Sequence, residues 1–167
     1  YSTTDNEIKG LPPNNFISKL PFPFLYLANY QWRRLEDISD RCSRNHSIIQ
    51  NKLRINGYSI LNPSNEKNKI KPISSRIVFL VKDRDLIMNF FFSRGVELGK
   101  WFDGPLTPAP NSDSFNYVKK NYKNSNIISK HIVNIPCHFR LSNADTNLIC
   151  NLIDEFSLKN PSQNLFT

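Results

Sequence analysis

The chain has 167 residues, 39% of them hydrophobic, and a formal net charge of +8. That length suits one domain able to bury a core, and the hydrophobic share excludes wholesale disorder. No apolar run reaches the roughly 18 residues of a membrane span, and no basic head with an apolar run opens the chain. A cytoplasmic protein without membrane contact is therefore expected. Tyr1 stands where a methionine would start a complete chain, and strong patterning begins only near Leu25, which reads as part of a larger protein.

Cys42, Cys137 and Cys150 are odd in number and widely spaced, with no C-x-x-C pair. This points to a reducing compartment rather than a disulfide framework, and the spacing fits no zinc module. The cations are scattered, from Arg33, Arg34, Arg41, Arg44, Lys52 and Arg54 to Lys67, Lys69 and Lys71. A nucleic-acid binder gathers such charge on one face, so that class is set aside.

In chain order, residues 1–24 form an extended lead-in, where Pro12, Pro13, Pro21 and Pro23 oppose a regular helix. A domain follows over 25–158. Leu35, Ile38, Cys42, Ile49 and Leu53 recur at helical spacing and predict a long amphipathic helix, capped at Gly57. Residues 62–71 read as a loop. Ile77 to Val81 is a continuous apolar run, fitting a strand covered on both faces. Asp83 is placed to cap a helix whose face is Leu86, Ile87, Phe90 and Phe91 and which ends at Gly95. Val96 to Phe102 reads as a second strand, and Phe115, Val118 and Tyr122 as a short helix. His131 to Ile135 is a third strand ended by Pro136. Ser142 and Asp145 make a capping box before a last helix carrying Leu148, Ile149, Leu152, Ile153 and Phe156, and residues 159–167 form a frayed tail. The fold class is α+β: a small antiparallel or mixed sheet of about three strands packed against helices, with a long N-terminal helix.

Five glycines without a fingerprint exclude a phosphate loop, and neither a nucleophile elbow nor an H-E-x-x-H helix occurs. His46 reads as a solvated or half-buried helix residue and His131 as a structural histidine. His138 lies just past a strand end, where loops carry function. Cys137 beside it lacks an activating base. Arg140 is placed either to bind a carboxylate or phosphate or to pair with Asp145. Trp101 and Phe102, with the Gly104-Pro105-Leu106 turn, either wall a pocket or cover a sheet edge.

Several pieces share one order. They are Gln31-Trp32-Arg33-Arg34-Leu35 with Arg41 downstream, Ser93-Arg94-Gly95-Val96, and Trp101-Phe102-Asp103-Gly104-Pro105-Leu106. Ile132-Val133-Asn134-Ile135-Pro136-Cys137-His138 comes next, and Leu141-Ser142 opens the last helix. Over roughly residues 16 to 156 the chain thereby resembles the C-terminal small domain of the DegT/DnrJ/StrS sugar aminotransferases. The resemblance implies a fold type I parent dependent on pyridoxal phosphate, held by a lysine and an aspartate of an N-terminal domain. Neither group maps onto this chain, so no catalytic residue is assigned and no cofactor is expected to bind it alone. It further implies a homodimer, a nucleotide-linked keto sugar as substrate, and the N-terminal domain of the same polypeptide as partner. Trp101, Phe102, Thr107, His138 and Arg140 are the expected substrate-pocket residues, in a positioning role. Thr107 stands where the family often has histidine. That departure keeps a second reading open, a non-catalytic interaction module on the same fold.

Overall fold

The computed structural model describes residues 21–61, 74–100, 104–105 and 121–163. Helix α1 spans Phe22–Trp32 and α2 spans Leu35–Ile55. Strands β1 (Ser59–Ile60) and β2 (Arg76–Leu80) follow, then α3 (Arg84–Phe92), α4 (Lys123–His131), β3 (Ile132–Pro136) and α5 (Asn143–Lys159). Among the described residues the strands make one antiparallel sheet in the order β1-β2-β3. Its register pairs Ile77 with Ile135, Val78 with Asn134 and Phe79 with Val133. The α+β class expected from the sequence is the class observed.

Sheet alternation sorts the side chains into two layers. Ile77, Phe79, Val81, Val133, Ile135 and Cys137 join one core with Ile49 and Leu53 of α2, Ile87 and Phe91 of α3, and Ile149, Ile153 and Phe156 of α5. Tyr58 meets Phe79 edge to face at 5.4 Å, and Phe90 meets Phe156 at 5.1 Å. On the other face Val78, Leu80 and Ile132 form a smaller cluster backed by Ile128 of α4. The helices of the large layer are also tied by polar bonds. Lys52 Nζ donates to Asp154 at 2.7 Å, and Asn56 Nδ2 to the other carboxylate oxygen at 2.8 Å. The Lys52 ammonium and the Asn56 amide together hold the Asp154 carboxyl below its ordinary range. Arg94 bonds Glu155 at 3.0 Å while its guanidinium lies 3.7 Å over the Phe90 ring.

Caps end the helices where the sequence places them. Gly57 and Gly95 take positive φ, 77° and 80°, as left-handed helix ends require. Asp83 Oδ1 accepts from Leu86 N at 2.9 Å, and the Ser142–Asp145 box is complete.

Three expectations are corrected. The lead-in ends earlier than residue 24, because Phe22 opens α1 and proline is tolerated in a first helical turn, where no N–H partner is needed. The long amphipathic helix expected through Leu35 and Leu53 is observed as α2, separated from α1 by a turn at Arg33–Arg34. The described part of the expected Val96–Phe102 strand, residues 96–100, is not a strand: there Gly99 alone bridges to Asn134. His46 is neither solvated nor half-buried but 3% exposed, on the inward stripe of α2. The helix expected around Phe115 and Val118 lies outside the described residues, and Tyr122 precedes α4 as its N-cap.

Candidate functional site

The middle of β3 carries a tight polar cluster. Asn134, 5% exposed, pairs its backbone with Gly99 through two bonds of 2.9 Å. Its side-chain oxygen accepts from Arg76 Nη1. A Cβ on Gly99 would collide with the Asn134 side-chain amide and stand 2.9 Å from Arg76 Nη1, so a larger residue here would have to displace those side chains.

Beside this cluster lies a cleft of about 390 Å³. Its walls come from Glu97 and Gly99 on one side, Pro136 and His138 past β3, Asp145 in the first turn of α5, and Arg76 at the rim. The His138 loop is fixed through its backbone: its carbonyl accepts from Asn45 Nδ2 at 3.0 Å and from Leu141 N at 3.1 Å. The imidazole Nδ1 is buried with no partner among the described residues. Asp145 accepts from both the N–H and the hydroxyl of Ser142 at 2.8 Å, and these bonds hold its carboxyl below the usual carboxylate range, with nearby His138 adding to the effect. The cleft thus presents donors at Arg76 and His138 and acceptors at Glu97 and Asp145, a set suited to a hydroxylated, polar ligand.

Nucleophilic chemistry is not supported here. Burial pushes the Cys137 thiol up to about 12, and Sγ donates to Ser74 O at 3.1 Å, so it stays protonated at neutral pH. Among the described residues no group of three or more His, Cys, Asp or Glu could hold a metal ion. His131 Nδ1 sits 3.0 Å from Val81 O and 3.1 Å from Lys82 O, a structural engagement.

Comparison with known proteins decides the lineage. The DegT/DnrJ/EryC1/StrS aminotransferase family profile matches residues 27–154. The chain belongs to that family.

Members of known structure share this fold. Spr1654 of Streptococcus pneumoniae, assigned as a sugar aminotransferase, superposes in its PMP form with a TM-score of 0.67, at 15% identity over 78% of this chain and 33% of that one. A DegT/DnrJ/EryC1/StrS aminotransferase from Brucella abortus gives a TM-score of 0.64, at 17% identity over 76% of this chain and 33% of that one. The chain therefore spans about a third of the length of these relatives. No curated protein matches it significantly in sequence.

The family implies pyridoxal phosphate, which is held as a Schiff base by a lysine. Lys82, Lys100, Lys123, Lys130 and Lys159 are exposed, and Lys52 is engaged with Asp154. None lines the cleft, and these residues do not compose a seat for that cofactor.

Of the residues expected to shape a pocket, His138 lines the cleft. Arg140 does not: it is exposed, with its guanidinium 5.6 Å over the Phe139 ring. Nor does Arg140 pair with Asp145, whose carboxylate is bonded to Ser142. Trp101, Phe102 and Thr107 lie outside the described residues. Sequence reasoning missed Arg76, Asn134 and Glu97. A usable signal was present in Gly99, because a glycine inside a strand-like run marks close backbone approach.

Proposed function

We propose that this chain is the C-terminal small-domain part of a pyridoxal-phosphate-dependent aminotransferase that acts on a nucleotide-linked keto sugar, and that it is not catalytically complete alone. The family match over residues 27–154 carries this reading. The cleft at His138 suits a positioning role, in which Arg76 and His138 donate to substrate oxygens, and Trp101, Phe102, Thr107 and Arg140 are the further substrate-binding residues in this reading. The protein works as a cytoplasmic homodimer in this reading, and its three buried, free cysteines accord with a reducing compartment.

Absorbance in the visible band of bound pyridoxal phosphate tests the reading. Colour is expected in the full-length gene product and not in the 167-residue chain. Colour in the chain alone would overturn the division of labour, and a colourless full-length product would favour the non-catalytic module that Thr107 keeps open. In the active enzyme, His138→Asn is expected to raise KM for the sugar about tenfold with kcat little changed, as loss of uniform binding does. A fall in kcat at constant KM would instead place His138 in the chemistry.

A further inference from the structure

Helix α1 has the composition of a protein interior and none of its burial. Among its 11 residues none is buried. Phe22 is 80% exposed, Tyr26 69% and Trp32 73%. At about 100° per residue, Phe22, Tyr26 and Tyr30 run along one side, Phe24 and Leu27 lie opposite, and Leu25 and Trp32 occupy a third. Asn29 and Gln31 are too few to make a polar face. A helix that is apolar all round belongs inside a core.

We infer that α1 is an insertion helix, enveloped on all sides by the remainder of its own polypeptide. The inference rests on the reading of the chain as part of a longer aminotransferase. The matched structures are about three times as long as the aligned chain, which leaves ample protein to surround one helix. Two other occupants fit less well. A second copy packing across a two-fold axis covers one face of a helix and leaves the others wet. A bilayer is excluded by length, since 11 residues rise only about 16 Å against a hydrocarbon core of about 30 Å, and α1 has no basic face for lying in the headgroup layer. The Arg33–Arg34 turn then marks the passage from enveloping protein to the layer of α2, and its two charges suit a boundary open to water.

Hydrogen exchange of the α1 amides, compared between the 167-residue chain and the full-length gene product without added cofactor, provides the test. Exchange is expected to be at least about 100-fold slower in the full-length protein. The triple substitution Tyr26→Ser, Leu27→Ser, Trp32→Ser, one set reaching three sides, should abolish that protection and leave the urea midpoint of the 167-residue chain unchanged. Fast exchange in both proteins would overturn the inference, as would protection in the monomeric chain or a gene that encodes no further domain. Protection that arises from self-association of the chain, seen by sedimentation and dissolved by the substitutions, would assign α1 to a second copy instead. The protection is read without cofactor, so a colourless full-length protein would sink the enzymatic reading and leave this one standing.

Discussion

At the scale of single residues, the two most informative side chains are His46 and Asn134. Burial first, and the Arg54 charge second, lower the His46 pKa below its ordinary 6.5. The folded imidazole therefore stays neutral where the unfolded one takes up a proton. Above 6.5 neither state is charged and His46 adds nothing to the pH dependence; as pH falls below it, the unfolded chain binds more protons and stability drops. The urea midpoint is expected to fall between about pH 7.5 and about 5.5, and His46→Phe to remove a measurable part of that fall. An identical slope in the variant would mean that His46 is hydrated. Its burial was readable in principle, because it follows Cys42 by four residues and precedes Ile49 by three; the polar neighbours Arg44, Asn45 and Ser47 obscured it. At Asn134 the close approach of Gly99 sets the prediction. Gly99→Ala should cost about 1–3 kcal/mol through overpacking. Combining it with Asn134→Ala should cost less than the sum of the two single changes, because the clash partner is gone. Additive losses in urea unfolding would show that the collision is relieved elsewhere.

At the scale of elements, caps were legible and breaks were not. Gly57, Gly95, Asp83 and the Ser142–Asp145 box each act through a local bond that their residue types announce. The Arg33–Arg34 break has no such signature, since arginine is a good helix former. What changes there is the partner: α1 is apolar all round, whereas α2 buries one stripe at Cys42, His46, Ile49 and Leu53. β1 escaped notice because two residues carry no period. Lys123–His131 reads as polar, with Ile127 and Ile128 its sole large apolar residues, so α4 was not foreseen either. Residues 96–100 look like a strand because Val96 and Leu98 are apolar in alternation, yet the tight seat of Gly99 against Asn134 leaves a single bridge. The cap is the element feature easiest to weigh. Ser142 Oγ accepts from Asp145 N at 3.1 Å, and Ser142→Ala is expected to cost about 1 kcal/mol in thermal or urea unfolding. The same box ties stability to acid: the lowered Asp145 carboxyl contributes fully above its ordinary 3.8 and ceases to as pH falls through its folded value. The variant should therefore show a shallower acid limb than the parent chain.

At the scale of the whole molecule, the sheet separates two unequal apolar layers, and the inequality makes a prediction. The larger layer joins three helices to the sheet, with Phe79, Phe91 and Phe156 all fully buried at its centre. The apolar runs in the sequence made these residues visible as core, while the face of the sheet each would take depended on a register that only the fold supplies. The smaller layer holds Val78, Leu80 and Ile132 under α4. Phe156→Ala removes a ring packed against Phe90 amid side chains that cannot collapse into the space, and should cost about 3–5 kcal/mol, a large part of the stability of a domain this size. Leu80→Ala opens its gap beneath α4, the helix that backs this cluster among the described residues and that can settle inward, so its cost should fall near the low end for such truncations, about 2 kcal/mol. Urea unfolding of the two variants decides the matter. Equal losses would mean that the outer face is as tightly roofed as the inner one and that more of the polypeptide packs there than α4. A clear gap between them identifies the α2, α3 and α5 side as the folding core.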